Sequence, residues 1–139
     1  MAYISDLKKI LGQSYDFNTH DNLFGTSLSD TINVYGGNDR VYAYGGNDVI
    51  FDVRSYSGGN SGTDAIYGGT GNDLIVSSLD GAGNLYNGDG DVDTLNLIPS
   101  SNGVFVDLAG NFARDRATGA TSAVLNIENV TGSSMTDYL

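Results

Sequence analysis

The chain has no cysteine, no tryptophan, one proline, one histidine and one glutamate in 139 residues. Without thiols it forms neither disulfides nor thiolate metal centres. With His20 as its single imidazole, zinc lacks nitrogen ligands. A catalytic pair of His20 with Asp21 is a weaker reading than a solvated turn. Serines are plentiful, but none sits in a Gly-x-Ser-x-Gly elbow, and no constellation of residues supports an enzyme. One proline excludes collagen, which needs a period of three and much proline. Positive charge is scarce, with 6 Lys and Arg against 17 Asp and Glu, a net charge of −11. Nucleic acid and anionic membrane surfaces both attract basic patches, so neither is expected as a partner. No stretch is apolar enough for a membrane span. Lys8-Lys9 is not followed by an apolar run, so the amino end does not read as a Sec-type signal.

What is present is aspartate and glycine in rhythm. Asp21, Asp30, Asp39 and Asp48 stand nine residues apart, and two of them end the word Tyr-Gly-Gly-Asn-Asp at 35–39 and 44–48. The beat returns at Asp64 and Asp73, where 68–76 reads Gly-Gly-x-Gly-x-Asp-x-U-x, with U a large apolar residue. A fixed short period predicts one structural unit copied along an axis. Each unit divides into a polar, Gly-rich six and a three-residue strand. The strands are Asn22-Leu23-Phe24, Thr31-Ile32-Asn33, Arg40-Val41-Tyr42 and Val49-Ile50-Phe51, each with an apolar centre suited to a core.

Two units make an 18-residue coil. Coils stacked as parallel strands would set Asp21 over Asp39, Asp30 over Asp48 and Asp73 over Asp91. Such columns repel unless a cation lies between the carboxylates, and Arg40 is the one basic residue within a repeat. Calcium fits this oxygen-only set. It takes six to eight oxygens, whereas magnesium demands a near-ideal octahedron and keeps its waters. Glycine adopts positive φ at little cost, so backbone carbonyls could turn toward the ion. Gly37, Gly46, Gly62 and Gly71 share one register position, and Gly59 and Gly68 another. Asp89, Asp91 and Asp93 lie in a Gly-rich run. A metal loop is favoured there over a two-carboxylate glycosidase or an EF-hand, for which no closing Glu and no flanking helices are evident. Tyr35, Tyr42, Tyr44 and Tyr67 could form a sugar platform, but packing between coils is the commoner role.

Along the chain, residues 1–19 read as an N-terminal cap. It holds a short helix at 4–11, with Ile4, Leu7, Ile10 and Leu11 on one face, Ser5 at its start and Gly12 at its end. Residues 20–98 read as the repeat array, with an inserted loop near 52–58. Residues 99–139 read as a C-terminal β spacer. Val104, Val106 and Leu108 alternate in it with Phe105 and Asp107, and it ends in a partial repeat, Gly132 to Leu139.

These residues resemble the RTX proteins of Gram-negative bacteria. The resemblance is strongest at 20–51 and 59–76, and 104–108 with 126–133 resembles a spacer found between RTX repeat blocks. It implies an all-β fold, a right-handed parallel β-roll or β-helix of nine-residue Gly/Asp-rich repeats. Its implied metal ligands here are Asp21, Asp30, Gly37, Asp39, Gly46, Asp48, Gly59, Gly62, Asp64, Gly68, Gly71, Asp73, Asp91 and Asp93. It also implies a secreted, extracellular protein exported by a type I system, whose roll folds on meeting calcium outside the cell. A metal-free chain at −11 would repel itself and stay open. The function expected is a calcium-binding module that supports secretion and folding of the exported protein. The alternative is an adhesin or carbohydrate-binding accessory module, with a polysaccharide or cell-surface ligand as partner. End-to-end self-association is a further expectation, because a bare final coil exposes strand edges.

Overall fold

In the computed structural model, residues 2–5, 20–53, 62–79 and 83–139 are described, with side chains from residue 20 onward. Among these residues there is no helix, and so none long and apolar enough to cross a membrane. The nine-residue period becomes an alternation between two sheets. One sheet stacks β1 (Ala2–Ser5), β3 (Asp30–Val34), β5 (Val49–Asp52), β7 (Leu74–Ser77), β9 (Thr94–Asn96) and β13 (Asn129–Thr131), in that order and all parallel. The other stacks β2 (Asn22–Phe24), β4 (Arg40–Tyr42), β6 (Ala65–Gly69), β8 (Leu85–Asp89) and β12 (Thr121–Leu125), again parallel. It then continues antiparallel through β11 (Phe112–Asp115) to β10 (Val104–Asp107). The chain is therefore a parallel β-roll, closed at one end by a meander.

Each strand is too short to bury anything alone, and its central residue points between the sheets. Leu23, Val41, Ile66, Tyr86 and Val124 come from one sheet, and Ile32, Ile50, Ile75 and Leu95 from the other; all are buried in one core cluster. Side chains alternate across a strand, so the neighbours of these residues face outward. On the outer face of β2, β4 and β6, Phe24, Tyr42 and Tyr67 stack ring on ring, with centroids 5.7 and 5.2 Å apart.

Two expectations are corrected. Ile4 and Ser5 lie in β1, a strand paired to β3, and do not begin a helix. Pairing there satisfies the N–H and C=O groups that the edge of β3 would otherwise leave bare. The remainder of the expected helix, with Leu7, Ile10, Leu11 and Gly12, lies outside the described residues. The second correction concerns register. Coils are 18 residues long between β3 and β5, but 25 between β5 and β7 and 20 between β7 and β9. Asp73 therefore stands next to Asp93, not Asp91. The longer connection between β7 and β8 adds two residues to the coil and shifts everything after it.

Candidate metal centres

The turns that join the sheets lie along the two edges of the roll, and each edge carries a ladder. A strand begins just after each of these aspartates, or with it at Asp30 in β3, so the aspartate N–H stands at the turn ahead of the strand ladder. It donates instead to a carboxylate of the next coil. Asp30 N–H donates to Asp48 Oδ1 (2.7 Å), Asp48 to Asp73 Oδ1 (2.8 Å), Asp73 to Asp93 Oδ1 (2.8 Å) and Asp93 to Glu128 Oε2 (2.8 Å). On the opposite edge Asp21 N–H donates to Asp39 Oδ1 (2.9 Å), Asp39 to Asp64 Oδ1 (2.7 Å) and Asp64 to Asn84 Oδ1 (2.9 Å). Each bond engages one side-chain oxygen, an amide's at Asn84 and a carboxylate's elsewhere.

The second oxygen is a different matter. Oδ2 of Asp48, Asp64, Asp73 and Asp93 is buried and accepts no hydrogen bond. A buried, half-satisfied carboxylate is costly in its charged form. Burial accordingly pushes Asp48 up to about 6, Asp73 to about 7 and Asp64 to about 8, from the usual 3.8. Asp93 is raised as well, by burial first and then by the charges of Glu128, Asp91 and Asp89. These acids thus require a positive charge or a proton.

Oxygens converge where glycine leaves room. A Cβ on Gly68 would strike Asp73 Oδ2 and the carbonyl oxygen of Gly88, and one on Gly88 would strike Asp93 Oδ2 and the carbonyl of Asn126. The space that a side chain would fill is therefore lined by a carboxylate from one coil and a carbonyl from the next. Gly37, Gly46, Gly62 and Gly71 all have positive φ, between 74° and 126°. A Cβ on Gly71 would collide with the Gly46 carbonyl, and one on Gly62 with the Gly37 carbonyl. The Gly37 and Gly46 carbonyls thus point along the stack toward the next coil. The donor set is hard oxygen throughout, which suits calcium. Among the described residues no three Asp, Glu or His side chains gather at one point. A cation here would draw on carboxylate oxygens together with backbone carbonyls.

Not every expected ligand has this character. Asp30 has its Oδ2 taken by Thr26, through the backbone N–H (2.6 Å) and the hydroxyl (3.0 Å). Asp91 is exposed and its Oδ2 accepts the N–H of Gly71 (2.9 Å), so it braces a turn. Asp21 enters its ladder through its N–H, and Asp39 accepts that bond through Oδ1. Gly59 lies outside the described residues. Asp52, Asn84 and Glu128 were missed in the sequence, and Asp137 was read there within a partial repeat but not as a ligand. Glu128-Asn129-Val130 keeps the acid-x-apolar spacing of Asp93-Thr94-Leu95, and Asp137-Tyr138-Leu139 keeps it again. Asp137 Oδ1 accepts the Val104 N–H (2.9 Å) as the repeat aspartates do, and also the Ser133 hydroxyl (2.7 Å). The asparagines before Asp39, Asp48 and Asp73 have a role too. Asn38, Asn47 and Asn72 accept, through Oδ1, the N–H groups of Thr63, Asn72 and Val92 in the next coil.

Residues 17–51 and 58–78 match the RTX calcium-binding nonapeptide repeat, in four copies. No curated protein matches the chain.

Proposed function

From a chain whose segments 17–51 and 58–78 are RTX calcium-binding nonapeptide repeats, we propose a module that is open without calcium and folds into the roll on binding it outside the cell. The observation behind this is the set of buried, unpartnered Oδ2 atoms on Asp48, Asp64, Asp73 and Asp93. In a roll without cations, these carboxylates must each hold a proton or bear an uncompensated charge at neutral pH. Calcium supplies divalent positive charge and accepts oxygens from both carboxylates and carbonyls. Asp48, Asp73 and Asp93 would hold it on one edge, with the carbonyls of Gly88 and Asn126. Asp39 and Asp64 would hold it on the other, with the carbonyl of Gly37.

Because the sites exist only when coils are stacked, binding free energy becomes folding free energy. Each coil contacts its neighbours alone, so occupancy of one site favours the next. Affinities on the order of 10⁻⁴ to 10⁻³ M, as in extracellular calcium modules, would leave the chain open where free calcium is scarce. That arrangement suits export of an open chain by a type I system, followed by folding outside. The aromatic stack of Phe24, Tyr42 and Tyr67 does not favour a carbohydrate role, because the ring faces that would receive a sugar are packed on one another.

Amide hydrogen exchange tests the proposal. In millimolar calcium the amides of Asp30, Asp48 and Asp73 should be protected, and in chelator they should exchange at open-chain rates. Equal protection in both would contradict it.

A further inference from the structure

The last turn on the edge of Asp48, Asp73 and Asp93 departs from the others. Phe24, Tyr42, Tyr67, Asn87 and Leu125 stand side by side across their sheet. The residue after each enters the turn, so Gly25, Ala43, Gly68, Gly88 and Asn126 share one position. In the first four turns the ladder acid comes five residues later, at Asp30, Asp48, Asp73 and Asp93. In the last it comes two residues later, at Glu128, because Asn129 pairs with Thr94 and sets Glu128 beside Asp93. The turn has lost three residues and their backbone carbonyls. The acid there is the single glutamate of the chain. Its extra methylene spans the shortened turn, and its Oε2 accepts the Asp93 N–H at 2.8 Å, as Asp93 Oδ1 accepts that of Asp73 one coil earlier.

Beside this acid lies half of a cation site. The notch at Gly88 is lined by Asp93 Oδ2 and the Asn126 carbonyl oxygen, both of which a Cβ there would strike. Asp93 is 1 % exposed, and that Oδ2 is buried without a hydrogen-bond partner. Asn126 holds a positive φ of 49°, which costs a residue with a side chain some strain. Its Nδ2 donates to Asn87 Oδ1 (2.9 Å), on the residue before Gly88, and so ties the strained turn to the notch. A carbonyl from beyond the meander is thus presented to a carboxylate of the roll. Glu128 is exposed and bonds through Oε2, and its Oε1 accepts no hydrogen bond among the described residues. Water can reach this end of the ladder to complete the coordination of an ion.

We propose that Glu128 is the terminal ligand of the calcium ladder, joining Asp93 Oδ2 and the Asn126 carbonyl around an ion that fastens β13 to the roll. The inference rests on the calcium-binding reading above. It adds to that reading a ligand from outside the nonapeptide repeats, whose match ends at residue 78. A charged oxygen takes the place of the carbonyls lost with the three residues, and two carboxylates balance one divalent ion. The Glu128 and Asn129 N–H groups both donate to the Asp93 carbonyl (3.3 and 3.0 Å). Closing the site therefore draws together the two ends of the excursion that carries the meander, and binding there becomes docking free energy for β13.

Terbium, an anomalously scattering stand-in for calcium, tests this on the unaltered chain. Crystals grown with terbium should show a peak within bonding distance of both Asp93 and Glu128. A peak that touches Asp93 alone, or none at this place while Asp73 is occupied, overturns the proposal. Glu128→Gln gives a second measure, because its amide oxygen still accepts the Asp93 N–H while the charge is gone. In equilibrium dialysis it should bind one calcium ion fewer per chain or bind it markedly more weakly. At saturating calcium its Asn129 amide should exchange hydrogen about tenfold faster than in the parent chain, with the Asp48 amide unchanged. Parental calcium binding and parental exchange at Asn129 would give Glu128 a hydrogen-bonding role only, which overturns the proposal. Asp73→Asn is the reference. If it lowers calcium binding and Glu128→Gln does not, this site fails and the repeat reading stands. If neither substitution lowers it, the repeat reading itself fails.

Discussion

At the scale of single residues, the repeat aspartate divides its labour between its two oxygens. Oδ1 completes the backbone by accepting the N–H of the preceding coil, and Oδ2 is left for a cation. Asp73→Asn separates these roles. The amide keeps an acceptor for the Asp48 N–H but removes the charge. Ligand charge tunes calcium affinity over decades, so the variant should need about tenfold more calcium for half-saturation, as read by isothermal titration calorimetry. In chelator it should be no less ordered than the parent chain. Gly71→Ala acts through the backbone. Its φ of 113° is one that side chains rarely adopt, and its Cβ would meet the Gly46 carbonyl. Such strain costs about 1–3 kcal/mol, which should appear as a lower urea midpoint at saturating calcium.

At the scale of elements, short strands depend on their neighbours above and below. Tyr42 stacks on Phe24 and on Tyr67. Aromatic pairs contribute about 0.5–1.5 kcal/mol each beyond area burial, so Tyr42→Ala should destabilise the calcium-bound roll by roughly 1–3 kcal/mol in urea unfolding. Calcium stoichiometry should not change. The central strands were legible in the sequence because Leu23, Ile32, Val41 and Ile50 recur every nine residues between polar turns. The columns Asp21–Asp39 and Asp30–Asp48 were legible for the same reason, since their coils contain no insertion. The partner of Asp73 was not. Nothing local marks the two extra residues between β7 and β8, and a register is fixed by which strands pair, not by spacing alone. Asp52 was hidden differently. It ends β5 where the period breaks, and only the stacked coils show that it is buried. Ile4 and Ser5 looked helical because Ile4 continues the three-to-four-residue apolar spacing of Leu7, Ile10 and Leu11, while the strand that claims them is distant in sequence.

At the scale of the whole molecule, the ladders make folding a question of charge. A carboxyl whose folded pKa is raised binds its proton more tightly in the folded chain than in the open one. Between the open-chain value of 3.8 and the folded values of about 6, 7 and 8 for Asp48, Asp73 and Asp64, the folded chain holds protons that the open chain has lost. Stability without metal therefore falls as pH rises across that window and levels off above it. In chelator, β content by circular dichroism should be greater near pH 5 than at pH 8. With calcium the trend in affinity runs the other way, because the ion displaces those protons and binds more tightly as pH rises toward about 8. The −11 net charge acts in the same direction, since every acid left ionised adds to self-repulsion in the compact state.

The most direct test is far-UV circular dichroism at pH 8 during a calcium titration that starts in chelator, with magnesium as the control ion. The account predicts an open-chain spectrum at the start, a cooperative rise of β signal with calcium, no comparable rise with magnesium, and full reversal when chelator is restored. A chain that shows the complete β spectrum in chelator, and does not respond to calcium, would contradict it.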